Sequence, residues 1–272
     1  MPNKPKPRVL LADVDGTLVT KEKVLTPEAL AAAGELRAAG IALALTSGRP
    51  PRGMAMLIEP LALTGAIAGF NGGVFVNPDL TVIESHLLDP GMAREALDLI
   101  LKSGLDAWVY TEDEWLIRDK EAPHVAREAW TVKFEAKVVP EFADAHLAHA
   151  AKIVGVSDDH DLVAKTEKAT QTALGSRASA ARSQPYYLDV TNPEANKGGV
   201  VRMLARTMKV DAKEIATIGD MPNDVLMFKA GGLSIAMGNA SKEVQAEADA
   251  VTDTNEAEGF AKAVRKFILA EQ

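Results

Sequence analysis

Short apolar runs that end in small polar or acidic residues recur in the first and last thirds of the chain. They lie at residues 8–13, 41–49, 215–219 and 234–237, and runs of this length and composition are typical of buried parallel strands. Helical patterns separate several of them. This alternation predicts an α/β fold with a mostly parallel sheet. Right-handed crossovers would then bring the polar residues together at the carboxyl ends of the strands.

Three helices can be placed from their boundary residues and apolar spacing. Thr26 is a candidate N-cap, Pro27 suits the first helical position, and Gly40 ends the run that follows. A second helix is predicted over residues 197–208. A third is predicted from Phe260 onward, where apolar residues recur at helical spacing.

The middle of the chain has a different pattern and predicts a second, inserted domain. It contains a hairpin-like stretch at 107–118 and a strand–helix pair at 151–174. It carries all three Trp and all three Tyr but none of the Asp-rich loops. We therefore predict a core domain in two parts, 1–87 and 188–272, interrupted by an inserted domain at 88–187.

Composition limits the classes of function. The 272 residues are 47% hydrophobic and 25% charged, as in ordinary globular proteins. The absence of cysteine excludes disulfides, thiolate zinc sites and a cysteine nucleophile. A net charge of −8 argues against a nucleic acid polymer as partner. No apolar run approaches the ~18 residues of a membrane span. Residues 1–8 lack the apolar stretch of a signal peptide and predict a frayed tail on a cytoplasmic protein.

Two carboxylates follow the first predicted strand. Asp13 and Asp15 are separated by one residue, and Gly16 gives the backbone freedom for a turn that points both at the sheet edge. Such a pair suits a hard cation such as Mg²⁺. It also supplies a nucleophile beside an acid/base group. Taken alone, the same residues are equally consistent with an Asx-turn that contains incidental acids.

A second acidic loop follows the strand predicted at 215–219. It contains Asp220, Asn223 and Asp224. Two acidic loops at one sheet edge repel each other unless a cation lies between them. The two loops together therefore predict a metal site, with a simple acidic turn as the lesser alternative.

Two further segments suit an anion. Ser47, Gly48 and Arg49 follow the strand predicted at 41–49, and a hydroxyl beside backbone N–H groups of a glycine turn can hold a phosphate oxygen. Lys197 begins a predicted helix and is a candidate to offset carboxylate and phosphate charge. Taken alone, residues 47–49 would be interpreted as a helix N-cap, and Lys197 as a solvated surface charge.

In combination these residues resemble the haloacid dehalogenase-like (HAD) superfamily. The four ordered motifs of that superfamily are similar to Asp13-x-Asp-Gly-Thr, Ser47, Lys197 and Gly219-Asp220-x-x-Asn-Asp224. The Cof-type branch of that superfamily, which has a class IIB cap, contains motifs similar to Ser47-Gly-Arg, Asn71-Gly72-Gly73 and Met237-Gly-Asn-Ala240. The match covers about residues 8–87 and 188–272. The resemblance implies a Rossmann-like parallel-sheet core with an inserted α+β cap domain.

The resemblance also implies catalytic roles. Asp13 would attack phosphorus and become an aspartyl-phosphate. Asp15 would protonate the leaving oxygen and then activate water. Ser47 and Lys197 would hold the transferring phosphoryl group, with Gly48 as a further phosphate contact.

Further roles implied by the resemblance concern the metal and the phosphate. Mg²⁺ would be bound by Asp13, by the backbone carbonyl of Asp15 and by Asp220. Asn223 would bind phosphate or a metal-bound water, and Asp224 would orient Lys197 or that water. Arg49 is a further candidate phosphate contact.

Three functions remain open on this basis. The first is a Mg²⁺-dependent phosphatase acting on a small phosphorylated metabolite, such as a sugar phosphate, a nucleotide or a cofactor precursor. The second is a phosphotransferase of the phosphomannomutase type, and the third a catalytically silent protein that binds a phosphorylated ligand. Haloacid dehalogenation does not call for Asp15, and no G-x-G-x-x-G motif follows the first strand as a dinucleotide enzyme would require. The natural substrate, and whether the protein is a monomer or a homodimer, are not determined by the sequence.

Overall fold

A computed structural model describes residues 5–270; the first four residues of the predicted tail lie outside the described part. Its strands, in chain order, are β1 (Val9–Asp13), β2 (Ala42–Thr46), β3 (Ile67–Gly69), β4 (Val74–Val76), β5 (Val82–Ser85), β6 (Asp106–Tyr110), β7 (Trp115–Ile117), β8 (Lys137–Val138), β9 (Lys152–Val156), β10 (Ser179–Gln184), β11 (Tyr187–Thr191), β12 (Ile215–Gly219), β13 (Ser234–Ala236) and β14 (Ala250–Val251). Its α-helices are α1 (Pro27–Ala38), α2 (Ile58–Leu61), α3 (Pro90–Lys102), α4 (Val125–Val132), α5 (Asp144–Leu147), α6 (His160–Leu174), α7 (Lys197–Met208), α8 (Val225–Ala230), α9 (Lys242–Ala246) and α10 (Gly259–Ala263).

The first sheet has the order β14-β13-β12-β1-β2-β3-β4-β5. Its pairs are parallel from β14 to β3 and antiparallel from β3 to β5. After β1 the chain forms β2 on one side of β1, and much later it returns to form β12 on the other side of β1. This reversal of strand order creates a crevice at the carboxyl ends of β1, β2 and β12, where open α/β sheets bind ligands.

Helices cover both faces of this sheet, which explains why its strands are apolar runs without alternation. All five residues of β1 are buried. Leu10 and Ala12 pack in the cluster that contains α1 and α10 residues, whereas Val9 and Leu11 pack in the one that contains α7 and α8 residues. The predicted parallel-sheet α/β core is therefore confirmed.

The second sheet is formed by one continuous segment, from β6 to β11, in the order β10-β11-β9-β6-β7-β8. Its pairs are antiparallel except β7 with β8. The outer face, with Ala107 and Val109, packs in a cluster with α3 and α6 residues. The inner face, with Trp108 and Tyr110, belongs to the same hydrophobic cluster as β1, so the two sheets share a core. The domain boundary predicted after residue 187 falls at the start of β11, and the boundaries stay a prediction.

The predicted helix boundaries at α1 and α7 are confirmed. Thr26 caps α1 by accepting a hydrogen bond from the backbone N–H of Ala29 at 3.1 Å, and Pro27 is the first helical residue. Gly40 follows the helix with a φ of +73°. The last predicted helix begins as α10 and continues as a π-helical turn over Val264–Ile268. In the described part of the chain, no helix has both the length and the apolar character needed to cross a bilayer.

Candidate active site

The carboxyl ends of three adjacent strands bring the predicted site residues together. Asp13 is the last residue of β1, Ser47 follows β2, and Asp220 follows β12. β1 pairs with β2 on one side and with β12 on the other. Residues separated by more than 200 positions in sequence therefore line one crevice, because parallel strands present their carboxyl ends at the same edge.

Lys197 lies at the centre of this crevice as the first residue of α7. Its ammonium is 2.5 Å from Asp13 Oδ1 and also contacts Asp224 Oδ1. The side chains of all three residues are almost fully buried. Burial opposes the charged form of Lys197, but Asp13 and Asp224 outweigh it and raise the lysine pKa above its usual value. The lysine is therefore held in its charged form between two carboxylates.

The carboxylates of Asp13, Asp220 and Asp224 form a cluster whose oxygens come within 4.8 Å of one another. Burial raises the pKa of Asp220 to about 6, and the Asp224 charge adds to the rise. Burial raises the pKa of Asp13 well above its usual value, and the charges of Asp224 and Asp220 add to the rise. Lys197 lowers this pKa but does not cancel these effects. One ammonium thus faces three buried carboxylates. An all-oxygen donor set in which carboxylates outnumber ammonium groups fits a divalent cation such as Mg²⁺.

The turn after β1 is built around Asp220. Gly16 has a φ of +84°, and a Cβ there would lie 2.3 Å from Asp220 Oδ2, so only glycine allows this approach. Asn239 donates to Gly16 O at 2.9 Å and to Asp220 Oδ2 at 3.0 Å, and Thr17 Oγ1 donates to Asp220 Oδ1 at 3.4 Å. Asn239 belongs to the Met237–Ala240 motif, but no role at the site was predicted for it.

Asp224 supports the acidic loop from within. Its Oδ2 accepts the backbone N–H groups of Asp220 and Met221 at 2.9 and 2.8 Å, while its Oδ1 contacts Lys197. This carboxylate therefore joins the β12 loop to the first residue of α7. Asp224 thus fixes the position of Lys197 relative to Asp220.

Asp15 is held by two cations. Arg49 donates from Nε to Oδ2 at 2.7 Å and from Nη2 to Oδ1 at 2.6 Å, and Lys23 Nζ donates to Oδ1 at 2.6 Å. Burial opposes ionisation of Asp15, but the hydrogen bonds and charges of Arg49 and Lys23 outweigh it and lower the pKa. Arg49 was predicted as a phosphate contact; here its guanidinium contacts Asp15 and the carbonyl of Gly53. A phosphate contact by Arg49 stays a prediction. Lys23 was not predicted at all.

Backbone hydrogen bonds fix the loop that follows β2. The N–H of Arg49 donates to Ser47 Oγ at 3.1 Å, so the Ser47 hydroxyl keeps its proton to donate elsewhere. The N–H groups of Asn71 and Phe70 donate to the carbonyls of Ser47 and Arg49 at 2.7 and 2.8 Å. Asn223 donates to Asn71 Oδ1 at 3.1 Å. The Asn71-Gly72-Gly73 turn therefore supports this loop, while the predicted contact of Asn223 with phosphate stays a prediction.

Comparisons with known proteins find relatives along nearly the whole chain. A family model for haloacid dehalogenase-like hydrolases matches residues 10–264. The chain is 25% identical to the 5-amino-6-(5-phospho-D-ribitylamino)uracil phosphatase YcsE of Bacillus subtilis over 96% of either chain. It superposes on a haloacid dehalogenase-like hydrolase of Bacteroides thetaiotaomicron with a TM-score of 0.89, 26% identity and coverage of 96% of this chain and 99% of that one.

A more distant structure supports the fold of the inserted segment. A HAD subclass IIB sugar phosphatase superposes with a TM-score of 0.81 at 19% identity, covering 97% of this chain and all of that one. At this identity the similarity shows the fold alone. It agrees with a parallel-sheet core that carries a cap of the IIB class.

Proposed function

This chain belongs to the haloacid dehalogenase-like hydrolase family and is a phosphatase, and from that membership we propose that Asp13 is the nucleophile that cleaves a small phosphorylated metabolite. The observation that carries the proposal is the position of Asp13. Its carboxylate is at the end of β1, held by Lys197 at 2.5 Å and clustered with Asp220. A buried carboxylate fixed beside a charged lysine is oriented to attack phosphorus and is near a cation that attracts phosphate.

The proposed reaction has two displacements on phosphorus. In the first, an oxygen of Asp13 forms a bond to phosphorus as the bond to the leaving oxygen breaks, which gives an aspartyl-phosphate. In the second, water attacks the same phosphorus and releases inorganic phosphate, which regenerates Asp13. Lys197 and the hydroxyl of Ser47 hold the transferring oxygens throughout, and most of the catalysis is positioning and charge stabilisation.

Asp15 is the proposed acid and base of the two steps. It donates a proton to the leaving oxygen in the first step and takes one from water in the second. In the absence of substrate, Arg49 and Lys23 lower its pKa and keep it ionised. The negative charge of a bound phosphate would raise the pKa of Asp15, because a nearby like charge disfavours the carboxylate. Substrate binding thereby prepares the protonated form that the first step needs.

Mg²⁺ is the proposed metal of the site. The side chains of Asp13 and Asp220 and the backbone carbonyl of Asp15 would hold it. When bound, it supplies positive charge that offsets the carboxylates and the phosphate oxygens. This proposal rests on the excess of buried carboxylates over ammonium groups in the cluster.

The proposed substrate is a phosphorylated small molecule, and the class of leaving group stays open. The Bacillus relative is named for a ribitylaminouracil phosphate, and the subclass IIB structure for sugar phosphates. We propose neither a nucleic acid polymer nor a membrane as partner, consistent with the net charge of −8. A cytoplasmic location also stays a proposal.

Hydrolysis of para-nitrophenyl phosphate tests the proposal. Wild type and Asp13→Asn would be assayed with Mg²⁺ and with EDTA, and circular dichroism would check the fold of the variant. We expect turnover that requires both Asp13 and Mg²⁺. Full activity of Asp13→Asn would show that the nucleophile is another group. If a panel of phosphorylated metabolites also gives no hydrolysis, a bisphosphate-dependent isomerisation assay would test the mutase alternative.

A further inference from the structure

Lys152 is a buried lysine that comes from the inserted segment and not from the core motifs. It is the first residue of β9 and is 8% exposed. Its ammonium is 3.2 Å from Asp189 Oδ2 on the neighbouring strand β11. It also lies 5.2 Å from the ring centre of Tyr110 and 5.6 Å from that of Phe70. Burying a lysine this deeply costs free energy unless its ammonium is paired and hydrogen-bonded.

The second polar contact of Lys152 reaches the loop that follows β2 in the first sheet. Its Nζ is 3.5 Å from the carbonyl oxygen of Gly48, at the long end of hydrogen-bonding distance. At this distance the attraction is mainly that of a charge for a carbonyl dipole. Burial strengthens such an attraction, because little water screens it.

The peptide group between Gly48 and Arg49 is therefore held at both ends. Its carbonyl oxygen faces Lys152, and its N–H donates to Ser47 Oγ at 3.1 Å. A rotation of this peptide plane would break the bond to Ser47. It would also move the start of the Arg49 side chain, whose guanidinium holds Asp15.

We propose that Lys152 is a positioning residue that couples docking of the inserted segment to the geometry of the Ser47–Arg49 loop. This inference rests on the proposed function, in which Ser47 and Asp15 act on the phosphoryl group. Lys152 fixes the Gly48–Arg49 peptide, and through it the Ser47 hydroxyl and the Arg49–Asp15 pair. The loop thus reaches its working arrangement when the second sheet is packed on the first. The ion pair with Asp189 holds the ammonium of Lys152 in place beside Gly48.

Loss of the charge should affect turnover more than substrate binding. Lys152→Met keeps an unbranched apolar stem of similar length but removes the ammonium. We expect kcat to fall roughly 10- to 100-fold with a much smaller change in KM, since displacement of catalytic groups by about an ångström has effects of this size. Lys137→Met is the matched control, because that exposed lysine pairs with Glu114 away from the loop and should leave kcat unchanged.

A double variant separates positioning from stability. Lys152→Met leaves the partly buried carboxylate of Asp189 without its ammonium partner, which lowers the melting temperature by itself. Lys152→Met/Asp189→Asn removes that charge too, so we expect the melting temperature to recover in large part while kcat stays low. Recovery is incomplete because Glu128 still lacks the attraction of Lys152. Recovery of both the melting temperature and kcat in the double variant would show a purely structural role and overturn the proposal. A wild-type kcat in Lys152→Met would also overturn it.

Two substrates distinguish positioning from contact with the leaving group. Para-nitrophenyl phosphate and acetyl phosphate differ greatly in leaving-group size, and a positioning residue should affect both by the same factor. A defect confined to para-nitrophenyl phosphate would mean that Lys152 binds the leaving group, which would overturn the proposal.

A crystal structure of the double variant gives a readout that does not depend on turnover. We expect the Gly48–Arg49 peptide to rotate and the bond from Arg49 N–H to Ser47 Oγ to be lost. An unchanged peptide would overturn the inference. If wild type showed no Asp13-dependent hydrolysis, the proposed function would fail, while this geometric comparison would still decide what Lys152 does.

Discussion

The buried charges of this protein act in groups, and removing one leaves its partners uncompensated. Lys197 contacts both Asp13 and Asp224, and Arg49 binds both oxygens of Asp15. Breaking a buried ion pair from one side is far more costly than breaking an exposed one, because the remaining charge has no solvent to stabilise it. Single substitutions at these residues should therefore affect both stability and turnover.

Lys197→Met should lower the free energy of unfolding by about 3–5 kcal/mol and abolish phosphatase turnover. The reason is that Asp13 and Asp224 would be left as neighbouring buried carboxylates without an ammonium. Urea denaturation at pH 7.5 and a para-nitrophenyl phosphate assay measure the two effects. Lys229→Met, which breaks an exposed pair with Glu247, is the control and should change stability little. Equal effects of both variants would contradict the expectation.

Glu128→Gln should stabilise the protein at neutral pH. Burial raises the pKa of Glu128 above its ordinary value of 4.5, although Lys152 and the Tyr110 hydroxyl oppose the rise. The ionised form is thus less favourable in the folded than in the unfolded chain. Its cost is absent below about pH 4.5 and grows as pH rises through the raised folded-state value.

Denaturation of wild type and Glu128→Gln across pH 4.5–8 measures this cost. Gln keeps an oxygen that can accept the Tyr110 hydroxyl, which is 2.7 Å from Glu128 Oε1. The difference in unfolding free energy should favour the variant at pH 8 and shrink toward pH 4.5. A constant difference, or one of opposite sign, would show that the charge of Glu128 is not the cause.

At the scale of single elements, helix starts and strand ends position the chemistry. Lys197 is placed by the start of α7, where Asn196 caps the helix by accepting the N–H of Gly199 at 3.0 Å. The start of α1 is held in the same manner by Thr26. Its hydroxyl also donates to Glu258 Oε2 at 2.6 Å, which joins the start of α1 to the residue before α10.

Thr26→Ala should lower the free energy of unfolding by about 1 kcal/mol, because the backbone N–H of Ala29 loses its capping acceptor. Thr26→Ser keeps the hydroxyl and should lose much less. Chemical denaturation of the three proteins gives the values. Similar losses in both variants would show that packing of the threonine methyl group, and not the cap, matters.

The predictability of the elements follows from how local their signals are. The sequence predicted the bounds of α7 and β12, and those of α1 within two residues. Capping residues, proline and glycine mark the ends of helices, and a short buried run marks the strand. α3 and α4 were not predicted from the sequence, although Asp89 caps α3 and Pro90 begins it. α4 begins after His124, which has a φ of +68° and stacks on Tyr186 with ring centres 4.2 Å apart. That contact spans about 60 positions and leaves no local signal.

At the scale of the whole molecule, the acidic cluster makes folding and metal binding interdependent. Asp13 and Asp220 approach each other only in the folded chain, since they lie at the carboxyl ends of different strands. A cation that binds this cluster therefore stabilises the folded state, by about 2.7 kcal/mol at 100 times its Kd.

Mg²⁺ should thus raise the melting temperature of the wild type, and EDTA should reverse the rise. Asp220→Asn should show a much smaller response, because it removes a carboxylate from the cluster. Asp161→Asn, which changes an exposed acid on α6, is the control and should respond like wild type. Thermal melts at several Mg²⁺ concentrations measure the effect. An equal response in Asp220→Asn would place the ion elsewhere.

The sequence by itself determined the α/β class, the family and which residues are candidates for chemistry. It could do so because short apolar runs, capping residues and motif spacing are local features. Only the tertiary structure decided how those residues are paired. Arg49 and Lys23 hold Asp15, Asn239 bonds Asp220, and Lys152 reaches Gly48 across 104 positions. These contacts depend on which strand ends and which sheet face meet in space, and no local pattern of polar and apolar residues encodes that meeting.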